Sequence, residues 1–373
     1  MIYFVIVAAA LCVAYANGSN DNFKGVATLF GSGTTNYRKA LMWATGTTML
    51  GSVAAVMLAG NLIKAFGGKG LIDDAIATQP EFAGAVAMAA GFTVLIASRL
   101  GLPISTTHSL MGALLGTGLF AGSALNLGNL WAKFLIPLLT SPIIAVVITA
   151  LIYPILRWLR IRSGVDQSYC VCVGRETVEV VPAMTENCQL VALEKAEKLT
   201  ATIGKQATCR SQYNGKVLGL DAAKTLDRAH YLSSGMVSFA RGLNDTPKMA
   251  AMLLLAPAFG VNSSLILIGI VIALGGWISA KRVAETMSNK ITTMNHGQGF
   301  TANVVTGLIV IGASRFGLPV STTHVSCGSL FGLGAATGGA KRETIIRILL
   351  SWVATLPLAA ALGALIYLLL SWL

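Results

Sequence analysis

Long apolar stretches separated by short polar breaks run along nearly the whole chain. The first covers about 2–16, and a short apolar piece, Gly25 to Gly31, follows a polar, glycine-containing interruption. Further hydrophobic segments fall at about 39–65, 82–99, 107–121 and 130–156. They resume at about 230–241, 249–259, 263–280, 301–316, 322–336 and 345–372. Crossing a bilayer as a helix takes about 20 apolar residues. In hydrocarbon the backbone has to satisfy its own hydrogen bonds, so repeated long spans predict helices and an all-α polytopic membrane protein. Between the two sets lies one extended polar region, 157–228. There Tyr169 to Val181 alternates as a short β-hairpin does, while Leu190 to Leu199 and Asp221 to Tyr231 read as helical. The expected organisation is a first transmembrane repeat at 1–160, a hydrophilic loop region at 161–228 and a second transmembrane repeat at 229–373.

Composition agrees with that pattern. The 373 residues are 54% hydrophobic and 11% charged, with a mean hydropathy of +0.71. A soluble domain carries about 25% charged residues, and this chain has too few to cover a water-facing surface. Of the 42 charged residues, 19 lie between Arg157 and Arg228. Outside that stretch the acidic residues are Asp21, Asp73, Asp74, Glu81, Asp245, Glu285 and Glu343. The net charge of +12 does not point to nucleic acid, because the basic residues sit mostly at span ends, where loop retention and lipid headgroups account for them. Arg157, Arg160 and Arg162 precede the polar region, and Lys224 and Arg228 close it. The positive-inside rule therefore predicts that the region is cytoplasmic.

The six cysteines do not form a disulfide framework by spacing. Cys12 and Cys327 fall in apolar segments, whereas Cys170, Cys172, Cys188 and Cys209 are in the polar region. Cys170-x-Cys172 lacks the spacing of ordinary zinc sites, so free reduced thiols are expected. The apolar N-terminus has no basic n-region and reads as a retained first span.

An internal repeat carries the chemistry. Residues 98–108 read Ser-Arg-Leu-Gly-Leu-Pro-Ile-Ser-Thr-Thr-His, and residues 314–324 read Ser-Arg-Phe-Gly-Leu-Pro-Val-Ser-Thr-Thr-His, identical at nine of eleven positions. Upstream, Gly18-Ser19-Asn20-Asp21-Asn22-Phe23-Lys24 pairs with Gly242-Leu243-Asn244-Asp245-Thr246-Pro247-Lys248. Asp21 precedes His108 by 87 residues and Asp245 precedes His324 by 79, so the two motifs recur in the same order at similar spacing.

An Asp at mid-membrane costs about 2.5–3.5 kcal/mol on insertion scales, which makes Asp21 and Asp245 functional candidates. The flanking glycines permit an unwound backbone whose carbonyls could join carboxylate and amide around a cation. The competing reading is a helix N-cap at an interface. In the second element, Gly and Pro break one helix and Ser-Thr-Thr opens the next. Hydroxyls and free backbone N–H groups then gather at a positive helix end suited to an oxyanion, with ordinary capping as the alternative. His108 and His324 are candidates for a proton relay or for anion binding, or are packed structural residues. Lys24 and Lys248, each three residues after an Asp, need a neighbouring anion if they start a helix; otherwise they snorkel to the interface. Arg99 and Arg315 read as anchors at span ends.

Together these motifs resemble the inorganic phosphate transporter (PiT) family of phosphate permeases, which includes some sulfate permeases. Its pattern is Gly-x-Asn-Asp near the start of each half with Pro-x-Ser-Thr-Thr-His further on. Lys281-Arg282-Val283 followed by Lys290-Ile291-Thr292 also looks like the family's second half. The resemblance spans roughly 1–160 and 230–373. It implies two inverted-topology repeats with broken (discontinuous) helices and re-entrant elements, and an elevator-like or rocking exchange coupled to sodium or protons. By position, Asn20, Asp21, Asn244 and Asp245 would hold the coupling cation and help shape the substrate site. Ser105, Thr106, Thr107, Ser321, Thr322 and Thr323 would line the anion pocket. Many members have Asn three residues after the Asp; here Lys24 and Lys248 stand there, so a fixed ammonium is expected to replace sodium in at least one half.

The resulting expectation is a secondary active transporter, not an enzyme, with no prosthetic cofactor and with Na+ or H+ as coupling ion. Two buried acids suit an anion channel poorly. Phosphate is expected as substrate, since monohydrogen phosphate can donate a hydrogen bond to a carboxylate and sulfate has no proton to give; sulfate is the alternative. The remaining expected partners are the lipid bilayer of the plasma membrane and, as one option, further copies of the chain in a homo-oligomer.

Overall fold

The apolar segments fold as helices that end where the sequence supplies a break. The computed structural model describes residues 2–58, 60–66, 70–164, 168–180, 194–205 and 218–372. In the first half the long helices are α1 (Ile2–Asp21), α2 (Tyr37–Leu58), α3 (Pro80–Arg99), α4 (Thr106–Phe120) and α5 (Ile136–Arg162). In the second they are α6 (Ala222–Leu253), α7 (Val261–Ser279), α8 (His296–Arg315), α9 (Thr322–Thr337) and α10 (Arg342–Leu370). Six helical stretches are long and apolar enough to cross a membrane: those containing α1, α2, α3, α5, α7 and α10. The chain is thus a helical, multi-pass membrane protein. α4 and α9, with 15 and 16 residues, are about 22–24 Å long at the α-helical rise, shorter than a bilayer core of about 30 Å.

The described residues of the segment 39–65 are helical, in α2 as far as Leu58 and again in Gly60–Phe66. One expected boundary differs. The segments 230–241 and 249–259 join instead into α6, which continues through Asn244, Asp245 and Pro247. Packing holds that helix together across its proline: Thr246 and Ser52 of α2 share a hydroxyl–hydroxyl bond of 2.7 Å.

The Gly-Leu-Pro breaks form as predicted and are built alike. Gly101 and Gly317 take φ of 70° and 68°, the left-handed region that favours glycine. The Gly101 amide donates to Ser98 O at 3.1 Å and the Leu102 amide to Ala97 O at 2.9 Å; Gly317 to Ser314 O and Leu318 to Ala313 O repeat both distances. This double bond closes a helix C-terminus. Five or six residues later the chain re-enters a helix, and Arg99 and Arg315 stay exposed at the span ends, as anchors do.

Packing between the halves is reciprocal. α1 lies against α7, where a side chain at Gly18 would overlap the Ile272 carbonyl oxygen. α6 lies against α2, where a side chain at Gly242 would overlap the Thr48 carbonyl oxygen. α1 and α6 each open their half, so each first helix packs on the second long helix of the other half. The motif glycines serve this close approach, which corrects the expectation that they loosen the backbone at both Asp residues. α10 packs on α3 and α4, and α8 on α9.

The chain divides into two compact units, Met1–Pro154 with His230–Leu373, and Ile155–Ala229. The second unit contains β1 (Tyr169–Val180), β2 (Glu194–Lys205) and β3 (Leu218–Asp221) in the order β2-β1-β3, all antiparallel. The expected short hairpin is therefore one long strand with two partners. The expected helix at Leu190–Leu199 is corrected over 194–199, which lie in β2; alternate side chains of that stretch fit a strand paired along its length with β1. Residues 190–193, Cys188 and Cys209 lie outside the described residues. Cys170 and Cys172 lie two residues apart on one face of β1, with their sulfur atoms against one another. Cys12 and Cys327 are free.

Candidate functional site

The duplicated motifs meet in the buried centre of the first unit. Asn20 and Asp21 close α1, and Asn244 and Asp245 sit about two turns before the end of α6, within its buried stretch; all four are at most 3% exposed. Neither pair is an N-cap, so the interfacial capping reading fails for both. Lys24 follows the C-terminus of α1, the negative end of that helix's dipole, and Lys248 lies inside α6. Both are buried, at 3% and 1% exposure, which excludes snorkelling.

Each ammonium sits among oxygens from both halves. Lys24 Nζ pairs with Asp21 Oδ1 and donates to Asn20 Oδ1 at 2.8 Å, Ile104 O at 3.0 Å and Thr323 Oγ1 at 2.5 Å. Lys248 Nζ pairs with Asp245 Oδ1 at 3.1 Å and donates to Val320 O at 3.0 Å and Thr107 Oγ1 at 2.8 Å. Ile104 and Val320 are the residues between Pro and Ser in the two breaks, where the unwound backbone leaves its carbonyls available. Carboxylate, amide oxygen, peptide carbonyl and hydroxyl together form the kind of shell that holds a hard cation. An ammonium has three protons, so four oxygens around Lys24 exceed what it can bond at once.

The Ser-Thr-Thr-His elements divide their labour. Ser105 and Ser321 are N-caps, each accepting from the backbone N–H of the following His at 3.1 Å. Thr106 donates to Asp21 Oδ2, and Thr322 to Asp245 Oδ2, both at 3.2 Å. Thr107 donates to Val320 O at 3.4 Å and Thr323 to Ile104 O at 2.9 Å, so each second threonine reaches into the opposite half. The backbone N–H groups of Thr106, Thr107, Thr322 and Thr323 have no acceptor among the described residues, leaving two helix N-termini open to an anion.

Asn20 is tied to the first break by bonds to Ser98 Oγ and Leu102 O, both 3.0 Å, and Asn244 donates to Val320 O at 3.2 Å. His108 and His324 also meet, with ring centroids 4.4 Å apart, and Trp352 stacks on His324 at 3.8 Å. Trp352 Nε1 donates to Pro103 O at 2.9 Å, fixing the stack to the first break. His108 Nδ1 and His324 Nε2 are buried without a hydrogen-bond partner.

Two residues were not singled out by the sequence reading. Asn17 donates to Asp21 Oδ2 at 2.9 Å, Thr106 Oγ1 at 3.1 Å and Asp245 Oδ2 at 3.5 Å, so it touches both carboxylates. Arg241, 1% exposed, has no partner for Nε, Nη1 or Nη2. Each stands four residues before its Asp. Extending the repeat alignment by one residue would have found both, Asn17-Gly18 against Arg241-Gly242.

A sequence profile of the phosphate transporter family matches residues 17–363. A protein of Pyrococcus furiosus described as a candidate phosphate permease is 26% identical over 403 residues, covering 98% of this chain and 95% of its own. The chloroplastic inorganic phosphate transporter of Arabidopsis thaliana is 28% identical, covering 94% of this chain and 69% of its own. A solved structure, the sodium-dependent phosphate transporter, is similar with a TM-score of 0.75 at 22% identity, covering 100% of this chain and 99% of that one; it supports the fold. Because the family profile spans both copies of both motifs, the chain belongs to the phosphate transporter family and is a membrane transporter, not an enzyme.

Proposed function

We propose that the protein carries inorganic phosphate across the cytoplasmic membrane as a secondary transporter driven by protons, with Lys24 and Lys248 standing where other designs bind sodium. The observation that carries this reading is the oxygen shell around Lys24 Nζ, built from Asp21, Asn20, Ile104 and Thr323. A tethered ammonium in such a shell competes with any free cation at no translational cost. The anion would bind at the N-termini of α4 and α9, with Thr106, Thr107, Thr322 and Thr323 lining it and Ser105 and Ser321 holding the helix starts. Asp21 and Asp245 then neutralise the lysines, and the His108–His324 pair passes protons.

The reciprocal packing of α1 on α7 and α6 on α2 supports two repeats, 1–160 and 229–373, related by a two-fold axis, as inverted topology requires. The short α4 and α9 suit re-entrant elements that end at the substrate. The region 161–228 would face the cytoplasm, as its flanking Arg157, Arg160, Arg162, Lys224 and Arg228 favour.

The test is uptake of labelled phosphate into proteoliposomes under a sodium gradient and, separately, a proton gradient, with unlabelled sulfate as competitor. Uptake driven by the proton gradient, unchanged by sodium and little reduced by sulfate, is the expected result. A saturable sodium requirement would overturn proton coupling, and uptake of sulfate in place of phosphate would overturn the substrate.

A further inference from the structure

The charges of the buried centre do not cancel. Among the described residues, the buried charged side chains of the first unit are Asp21, Lys24, Arg241, Asp245 and Lys248. Asp21 pairs with Lys24 and Asp245 with Lys248, and each lysine has its donors taken by protein oxygens. The guanidinium of Arg241 is the surplus, and all three of its nitrogens are without an acceptor. A buried charge lacking hydrogen bonds is among the costliest arrangements a protein can keep, and it persists where function supplies the partner.

Its position is beside the two motif carboxylates. Arg241 lies one helical turn before Asp245 on α6, and both Asp21 and Asp245 act on it electrostatically. Those carboxylates accept from Thr106 and Thr322 at the open starts of α4 and α9, so the guanidinium shares their neighbourhood. The equivalent residue of the first half, Asn17, is neutral and already donates to both carboxylates. The two halves are therefore alike in their lysines and threonines and differ in charge at this place.

We infer that Arg241 is the charged ligand of the transported anion, binding a tetrahedral oxyanion of the phosphate type through its planar fork of N–H donors and drawing it toward the second half. The inference rests on the phosphate reading above and names the residue that makes the site selective for a multiply charged oxyanion. Guanidinium matches two oxyanion oxygens at once, which a lysine ammonium does not, and here both lysines are occupied. Once an anion is bound, the surplus charge is compensated.

The experiment uses the purified full chain and its Arg241→Gln and Arg241→Lys variants, with inorganic phosphate as probe. Thermal stability is measured in detergent with and without phosphate, and phosphate uptake is measured in proteoliposomes. Wild type is expected to gain stability with phosphate. Arg241→Gln is expected to lose that gain, to raise the KM for phosphate at least roughly tenfold, and to be no less stable than wild type without phosphate, because the uncompensated charge is gone. Arg241→Lys is expected to fall between the two. An Arg241→Gln protein that keeps the wild-type KM and phosphate stabilisation, or one that unfolds earlier without phosphate while Arg241→Lys keeps wild-type affinity, would overturn the inference in favour of a structural arginine. Wild type that neither takes up nor is stabilised by phosphate would instead overturn the phosphate reading itself.

Discussion

Lys248 donates to Thr107 Oγ1 at 2.8 Å, joining the second half's Asn-Asp motif to the first half's Ser-Thr-Thr-His motif. Lys24 and Thr323 make the mirror contact at 2.5 Å across 299 residues. The lysines therefore bind the two repeats to one another as well as neutralising the aspartates. Any motion that separates the breaks from the Asn-Asp helices has to part these bonds in both halves together.

Removing one ammonium leaves a buried carboxylate unpaired, a change that costs about 3–5 kcal/mol. Lys24→Asn is expected to lower thermal stability by that order and to make it sodium-dependent, because sodium can then enter the shell of Asp21, Ile104 and Thr323. Melting curves with sodium or with choline chloride check this. Wild type should show no difference between the two salts.

Gly242 lies where α6 crosses α2, with Thr48 O in the space a side chain would need. Gly242→Ala is expected to cost about 1–3 kcal/mol by forcing the helices apart, and to reduce uptake because Asp245 lies one turn further along. Gly18→Ala, against Ile272 O, should behave alike. Melting temperature and uptake measured together distinguish this from a purely local effect.

Ser105 and Ser321 hold identical caps, each 3.1 Å from a histidine amide. Replacing either with Ala is expected to cost about 0.5–2 kcal/mol, similar for the two. Thr106→Val and Thr322→Val each remove one bond to a carboxylate. They are expected to weaken phosphate uptake more than the Ser→Ala changes do, as initial-rate measurements would show.

The His108–His324 contact predicts a separation of driving force from exchange. His108→Gln and His324→Gln are expected to lower uptake under a proton gradient by several fold, while counter-flow of labelled against unlabelled phosphate continues. Equal loss of both activities would make the pair structural, with the Trp352 stack on His324 as its reason.

The sequence by itself determined what is local and repeated. Helix ends are written in contiguous residues: Ser-Arg-x-Gly-Leu-Pro closes α3 and α8 through a glycine at positive φ, and Ser-Thr-Thr-His opens α4 and α9 through a serine cap. Each needs only neighbours a few residues away, so duplication could be read directly, and with it the membership of Asp21, Asp245 and the threonines in one centre. The tertiary structure decided where chain-distant groups meet. Pairing of Lys24 with Thr323, burial of Arg241 near two carboxylates and the histidine stack each bring together groups from different helices, far apart in the chain. Packing against α2 keeps α6 helical through Asn244, Asp245 and Pro247, where local propensity alone suggested a break. Likewise 194–199 read as helix in isolation and became strand only because β1 lies alongside to take its hydrogen bonds. Local conformation follows from adjacent residues, whereas the partner of a buried charge is chosen by which helices close around it.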